Sequence, residues 1–139
     1  SGWLLDYVQP YAKPLSYVSY NARAFTMRGT SYTHGFAVRG TLRNDEGIYF
    51  NLGGKYASLT FKTGMKDGKY TARKPAKVTI KADGKNIENG IFEIKDDEAF
   101  SIHTINVKGC KDLRICIVPE DIIKLPDTEY GFADVKLSK

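Results

Sequence analysis

The sequence is poor in the residues and runs that mark many enzymes and membrane proteins. Its 139 residues include two cysteines, two histidines and one tryptophan. No stretch approaches the about 18 apolar residues that a membrane-spanning helix requires. The two cysteines, Cys110 and Cys116, have no further Cys or paired His at the spacing of a zinc site. We expect them to be free, partly buried thiols rather than a disulfide, since unpaired Cys packs as a small hydrophobe.

Motifs of catalysis are equally scarce. No Gly-x-Ser-x-Gly elbow is present to expose a serine nucleophile, and Cys116 lies in an apolar stretch that disfavours a thiolate. The pair Gly53-Gly54 precedes a strand-like run rather than a helix, so it predicts a turn and not a phosphate-binding loop. The acidic run Asp96-Asp97-Glu98 falls on a predicted turn and indicates a solvated loop rather than a pair of glycosidase carboxylates. We therefore expect no catalysis.

The charge is basic, with a net value of +5 and a pI of about 9.1, which suits an acidic partner. Lys77 and Lys81, however, alternate with apolar residues and predict the solvated face of a strand. Nucleic-acid binding is supported only by the pI, because a clustered basic stripe interleaved with aromatics is not evident. We do not expect a nucleic-acid partner.

Short apolar runs rich in Val, Ile, Thr and aromatics recur every 8 to 12 residues, and Gly, Asn and Asp turn signals separate them. This spacing predicts one all-β domain over residues 1–139, an antiparallel, jelly-roll-like β-sandwich. The clearest hairpin signal is Asp83-Gly84, which follows the strictly alternating Ala76–Ala82. The predicted strands lie near Tyr17–Tyr20, Ala24–Met27, Phe36–Val38, Gly47–Leu52, Ser58–Met65, Ala76–Ala82, Gly90–Ile94, Phe100–Val107, Leu113–Val118 and Phe132–Leu137.

Three irregular segments are also predicted. The first 16 residues, with two prolines, read as an extended lead-in. The apolar phase slips between Ile102 and Ile105, which indicates a β-bulge at His103-Thr104. Asp121–Leu125 is too tightly bounded by prolines for a proper helix and is expected to be a loop.

Two predicted loops, Gly29–Phe36 and Asp127–Phe132, mix aromatic rings with polar side chains. A sugar has apolar faces and hydroxyl-rich edges, so its site needs a flat ring beside directional hydrogen-bonding groups. Tyr32, His34 and Tyr130 could supply these. The competing interpretation places Phe36 and Phe132 in the core, with the tyrosines as half-exposed fillers. A structural Ca²⁺ held by loop oxygens is compatible with such loops, although no EF-hand-like spacing supports it.

Several segments, taken in order, resemble the NPCBM family of carbohydrate-binding modules over nearly the whole chain. The resemblance implies a jelly-roll-like sandwich that binds glycans, often galactose-type sugars, without catalysis of its own. It also implies a secreted bacterial parent protein, and the opening Ser1-Gly2 without a signal peptide indicates an excised piece of such a protein. The segments are Gly29–Phe36, Tyr49–Tyr56, Asp83–Lys85, Val107–Leu113 and Phe132–Leu137.

The resemblance also carries over particular residues and shows departures from the family pattern. Asp134 matches the family's closing motif. Arg39 stands where the family often has a histidine, and Phe132 where it often has a tryptophan. The predicted ligand-binding residues are Tyr32, His34, Arg39, Tyr130, Phe132 and Asp134.

The expected partner is a glycan or polysaccharide, met outside the cell or at the cell surface. We expect no membrane insertion, and we expect a tether to a catalytic or surface-anchoring domain. Affinity at one such site is expected to be micromolar to millimolar and to depend on avidity. The alternative function is a protein-interaction or spacer domain without sugar binding, which the altered His and Trp positions favour.

Overall fold

A computed structural model of the chain describes residues 2–39, 47–68, 73–96, 101–120 and 128–139. Within these ranges it contains ten strands and one short helix. The elements are β1 (Gly2–Trp3), α1 (Leu4–Tyr7), β2 (Val18–Met27), β3 (Thr30–Val38), β4 (Ile48–Asn51), β5 (Ser58–Met65), β6 (Ala76–Ala82), β7 (Lys85–Ile94), β8 (Ser101–Asn106), β9 (Asp112–Pro119) and β10 (Tyr130–Ser138).

The strands form two antiparallel sheets. Sheet A has the order β2-β3-β10-β5-β8, and β1 pairs with the far end of β10. Sheet B has the order β4-β9-β6-β7. The predicted all-β sandwich is confirmed. None of the helical segments in the described ranges is long and apolar enough to cross a membrane.

The core lies between the two inner sheet faces. In β5, every second residue from Leu59 to Met65 is buried, as the period-2 pattern requires. The Phe132 ring stacks on Phe36 with centroids 4.9 Å apart and meets Phe61 at 5.4 Å. These three fully buried rings join the central strands β3, β10 and β5. Burying each one contributes about 1.5–3 kcal/mol relative to its exposure.

The hairpin of β2 and β3 is bent and folds back over the outer face of its own sheet. An unbent β3 would carry the Arg28-Gly29 turn roughly 30 Å from Val38. Instead, the backbone N–H groups of Arg28 and Gly29 donate to the Asp67 carboxylate at 2.9 Å each. Asp67 lies just after β5, at the same end of sheet A as Val38. The turn therefore returns to the end of the sheet from which β3 departs.

Two local features allow this bend. The register between β2 and β3 shifts between Asn21 and Phe25, and Ala22 there has a φ of 65°. On β3, Gly35 lies so close to β10 that a Cβ would come within 1.9 Å of the Phe132 carbonyl oxygen. Only glycine tolerates such an approach. The bend consequently follows from a bulge on one strand and a glycine on the other.

The folded-back hairpin buries a second, smaller apolar cluster against sheet A. Small residues on β3 and β10 leave room for it, and a Cβ on Gly131 would lie 2.6 Å from the Met27 sulfur. The segment Gly29–Phe36 is thus mostly strand rather than the predicted loop. The cluster comprises Tyr20, Phe25, Met27, Tyr32, Ala37 and Ala133.

Other expectations are confirmed or corrected. The Asp83-Gly84 hairpin is present, with both residues at positive φ, and both cysteines are free and buried. The lead-in is not wholly extended, because α1 buries Leu4 and Leu5 in the core. The predicted loop Asp121–Leu125 lies outside the described residues.

The predicted bulge at His103-Thr104 is wrong. β8 pairs with β5 in unbroken register from Ser101 to Asn106. The apolar phase slips because Ile102 is 67% exposed on the outer face, while His103 takes the inward position. There it stacks on Phe92 with ring centroids 3.8 Å apart.

Candidate functional site

The bend of the β2–β3 hairpin brings His34 onto the only tryptophan in the sequence. Trp3 pairs with Lys136 at the far end of β10, and Gly35 holds the bend against the middle of that strand. The Trp3 and His34 rings stack with centroids 4.2 Å apart and an interplanar angle of 14°. Both side chains are half-buried, so parts of both rings reach solvent.

Two polar side chains adjoin this stack. Asn21 is the register partner of His34, and its Nδ2 donates to Asp6 Oδ1 at 3.1 Å. Asp6 lies on α1, directly after Trp3 and the two buried leucines. We call Trp3, Asp6, Asn21 and His34 the bend cluster. It combines a ring stack with an amide, a carboxylate and an imidazole on one part of the surface.

A second group flanks the bend on the outer face of sheet A. Asp134 sits at a register irregularity of β10, with a φ of 51°, and its carboxylate accepts from Lys62 Nζ at 3.3 Å. The same ammonium lies 5.6 Å from the centroid of the Tyr32 ring. Burial raises the pKa of the Tyr32 hydroxyl. The structure therefore joins Tyr32 and Asp134, two predicted site residues, through Lys62.

Arg39 lies away from these groups. It follows the end of β3, where Val38 pairs with Tyr130, whereas His34 lies at the bend. Its side chain is exposed, and its backbone N–H donates to Ser16 Oγ at 3.1 Å. The structure does not bring Arg39 to the bend cluster.

Tyr130 and Phe132 correct the prediction that both rings lie on an exposed loop. Both are fully buried, because β10 is flanked by β3 and β5 in the middle of sheet A and these side chains point into the sandwich. The Tyr130 hydroxyl donates to the Lys74 carbonyl at 2.6 Å, and burial raises the pKa of Tyr130. Phe132 belongs to the core stack described above. As placed here, neither ring is open to a ligand.

Trp3, Asp6, Asn21 and Lys62 were not identified from the sequence. Trp3 and Asp6 fall in the segment that reads as an extended lead-in, and Asn21 lies at a bulge whose position no turn signal marks. The single tryptophan of the sequence, in a segment outside the predicted strands, is the one signal that could have drawn attention to this segment. Its contact with His34, 31 positions along the chain, depends on the hairpin bend.

Metal binding receives no support from the described part of the chain. In those ranges no three His, Cys, Asp or Glu side chains are grouped so as to hold a metal ion. Two of the three acidic residues in the run Asp96-Asp97-Glu98 lie outside the described residues, and Asp96 itself is bound by Arg73.

The fold matches solved carbohydrate-binding modules of Clostridium perfringens. One is the CBM51 of a GH95 protein in complex with methyl-galactose (TM-score 0.68, 12% identity, covering 98% of this chain and 94% of that chain). Another contains the M60 catalytic domain with CBM51-1 and CBM51-2 of ZmpB (TM-score 0.70, 14% identity, covering 99% and 15%). A third contains CBM51-2 in complex with GlcNAc, with INT domains, of ZmpB (TM-score 0.69, 11% identity, covering 99% and 31%). At these identities the likeness shows the fold alone.

The family is established by sequence. No curated protein matches the chain. The model of the NPCBM/NEW2 domain matches residues 6–137, which is nearly the whole chain and includes every strand from β2 to β9 with most of β10. The chain belongs to the NPCBM/NEW2 domain family.

Proposed function

We propose that this domain is a non-catalytic carbohydrate-binding module and that the bend cluster is its glycan site. The observation that carries the proposal is the half-buried Trp3–His34 stack beside the Asn21–Asp6 pair. A ring face matches the apolar C–H face of a pyranose. An amide and a carboxylate can then donate to and accept from the hydroxyls at its edge.

The flanking residues take supporting roles in this site. Asp134 and Lys62 flank the bend cluster on the outer face of sheet A, and their ion pair orients both polar side chains. Tyr32 lies beneath the Lys62 ammonium. Phe132 and Tyr130 support β10 from the core side. Arg39 stays a predicted ligand contact, at a place separate from the bend cluster.

The wider context is also a proposal. The CBM51 structures described above include complexes with methyl-galactose and GlcNAc and an M60 catalytic domain carried on the same polypeptide. By analogy, we propose that this domain is tethered to a catalytic or surface-anchoring domain of a secreted bacterial protein. Avidity of the parent protein would then compensate for a weak single site.

A protein-interaction domain is the alternative, and the exposed apolar side chains favour it. Leu15 is fully exposed and Ile102 is 67% exposed, and such residues can contribute to a protein interface when they are contiguous. They lie on separate elements, however, since Leu15 precedes β2 and Ile102 lies on β8. The bend cluster is the more compact candidate.

The test is a screen on neutral glycan arrays, followed by titration with the best sugar. We expect binding at micromolar to millimolar concentration. Trp3→Ala should weaken it roughly tenfold, because it removes the stacking surface. The control is Ile102→Ala, which removes an exposed apolar side chain on β8 and should leave affinity unchanged. Equal affinities for wild type and Trp3→Ala would move the sugar site elsewhere, and no retention on any glycan would favour the interaction domain.

A further inference from the structure

A row of polar side chains leads away from Trp3 across the outer face of sheet A. Trp3 on β1 pairs directly with Lys136 on β10. Lys136 pairs in turn with Thr60 on β5, and Thr60 pairs with Thr104 on β8. Directly paired residues share a face of the sheet, and Ile105, next to Thr104, is fully buried on the inner face. The row therefore faces outward, and we call Lys136, Thr60 and Thr104 the sheet A row.

The sheet A row is open to solvent. Lys136 and Thr104 are exposed, and Thr60 is half-buried. The folded-back hairpin covers β3 and the Gly131 end of β10, so it leaves this part of the face uncovered. A ligand that stacks on Trp3 can continue along the row.

The row ends in a cleft of about 390 Å³ between the edge strands of the two sheets. Thr104 and Asn106 on β8 line one side together with Ser58 on β5, and Glu88 and Asn89 on β7 line the other. Ser58 is the register partner of Asn106, so this hydroxyl and this amide lie on the same outer face as the row. The cleft is continuous with the sheet A row, because Thr104 belongs to both.

The β7 side of the cleft is formed by a bulge. The pairing of β6 with β7 shifts register at Ile80, which faces the four residues 87–90. Asn89 has a φ of 63°, a conformation that Asn adopts more readily than most residues. A Cβ on Gly90 would lie 2.7 Å from the Ile80 carbonyl oxygen, so the bulge requires glycine there. Ile87 packs against the core and anchors the bulge. Its two exposed polar side chains are thereby held beside β8.

The charges on this path are balanced. Of the described side chains that line it, Lys136 and Lys108 carry two positive charges, and Asp6 and Glu88 carry two negative charges, all four being exposed. The whole chain has a net charge of +5, so the path lacks the excess of cations that would select a polyanion. The other groups are mainly hydroxyls and amides, which both donate and accept hydrogen bonds. This chemistry matches the hydroxyls of neutral sugars.

The length of the path requires more than one sugar. β1 and β8 are three strand spacings apart in sheet A, which is roughly 14 Å at about 4.8 Å per spacing. A single pyranose on the Trp3 ring covers roughly a third of that distance, so about three to four linked sugars are needed to enter the cleft. The cleft volume is within the range of about 300–1,000 Å³ that is usual for small-molecule sites.

We propose that the domain binds an extended, neutral oligosaccharide, with one sugar at the bend cluster and the following sugars along the sheet A row into the cleft. This inference rests on the proposed function, because the bend cluster holds the first sugar. It specifies a ligand of several linked sugars rather than one terminal sugar. Thr104 binds the chain at the entrance of the cleft, and Asn89 binds it from the bulge.

The experiment is calorimetric titration with two neutral series, galactose and GlcNAc, each as the monomer and as the β-1,4-linked dimer to hexamer. We expect the wild type to bind the tetramer of one series roughly twentyfold more tightly than its monomer. Repetition of one sugar along the tetramer would alone give about fourfold. The excess over that factor measures contacts beyond the bend cluster.

Two variants test the path. Thr104→Val removes a hydroxyl from an exposed strand position, and Asn89→Gly removes an amide where glycine tolerates the positive φ. Each should weaken tetramer binding about fivefold and leave monomer binding unchanged. The control Thr79→Val removes a hydroxyl from the outer face of sheet B and should change neither affinity. Thermal unfolding checks the fold of each variant, and Thr104→Val decides if Asn89→Gly does not fold.

The outcomes separate this inference from the proposed function. Trp3→Ala should weaken binding of monomer and tetramer alike, because both use the ring stack. If the wild type shows no gain with length beyond repetition while Trp3→Ala still impairs binding, the extended site is overturned and the bend cluster stands. A gain with length that Thr104→Val and Asn89→Gly both leave intact would overturn the path into the cleft. Failure of every oligomer to bind would overturn the extended site, and a blank glycan array would overturn the proposed function with it.

Discussion

Substitution of Gly131 tests whether the folded-back hairpin packs closely against β10. A Cβ at this position would lie 2.6 Å from the Met27 sulfur and 3.0 Å from Phe25 Cε2. Met27 is fully buried and Phe25 nearly so, which leaves little room for either side chain to move away. Gly131→Ala should therefore force a rearrangement beneath the hairpin.

The magnitude follows from two opposing effects. Overpacking costs about 1–3 kcal/mol, whereas replacing glycine with alanine stabilises by about 0.4–1 kcal/mol through the unfolded chain. The net expectation is a loss of roughly 0.5–2 kcal/mol. For a domain of this size, each kcal/mol lowers Tm by about 3–4 °C. The expected decrease in Tm is then roughly 2–8 °C.

The assay is thermal and urea unfolding of a double-mutant cycle. Met27→Ala alone should cost about 2–5 kcal/mol because it leaves a cavity. In the double variant the alanine methyl enters that space, so the combined loss should be smaller than additive by about 1 kcal/mol. A higher Tm for Gly131→Ala, or strict additivity in the cycle, would refute the packing of the hairpin on β10.

Three further predictions concern titration and reactivity. Burial lowers the pKa of His103. The contribution of the neutral imidazole to stability is therefore full above the unfolded pKa of about 6.5 and declines as pH falls toward the folded pKa. Between pH 7.5 and pH 5, Tm should fall less in His103→Asn than in wild type. Hydrogen bonds from Gly29 and Arg28 hold the pKa of Asp67 below its usual value, so the contribution of Asp67 to stability is present above about pH 4 and is lost as pH falls through the folded pKa. Asp67→Asn should cost about 1 kcal/mol at pH 7 in urea unfolding, and this cost should shrink as pH falls below about 4. Both thiols are buried, and burial raises the pKa of Cys110 to about 11, so at pH 8 an aromatic disulfide reagent should modify the two cysteines only after denaturation, and rapid labelling of the native domain would contradict their buried placement.

The parts of the fold that could be predicted are those with local patterns. Ser58–Met65 and Ala76–Ala82 match β5 and β6 to the residue, since strict alternation fixes both the strand and its buried face. Asp83-Gly84 identifies its hairpin because those residues tolerate positive φ. These features depend on neighbours in the chain and on no distant contact.

The features that could not be predicted depend on tertiary packing. His103 is polar and was therefore not expected to face the core. It faces inward because its ring stacks on Phe92 and its Nε2 lies 3.1 Å from Thr63 Oγ1. The hairpin bend needs small residues on another strand, including Gly131, and a sequence pattern does not reveal that pairing. The candidate site was only partly found for the same reason. His34 was chosen for its chemistry, but its partner Trp3 is brought to it only by the bend.

The burial of Tyr130 and Phe132 shows that the type of a residue and its neighbours in the sequence do not decide whether its side chain reaches the surface. Both residues looked suitable for a ligand because they adjoin polar residues in a predicted loop. Their position in a central strand places them in the core instead, which was the competing interpretation for Phe132. An aromatic residue in such a segment can be assigned to a surface only after the strand order is known.

Glycan binding at the bend cluster is tested most directly by calorimetric titration of the wild type, Trp3→Ala and His34→Gln with the neutral sugar that the array identifies. We predict that Trp3→Ala weakens binding roughly tenfold and His34→Gln severalfold, while the Tm of each variant stays within a few degrees of wild type. Unchanged affinity in both variants would contradict the assignment of glycan binding to the bend cluster.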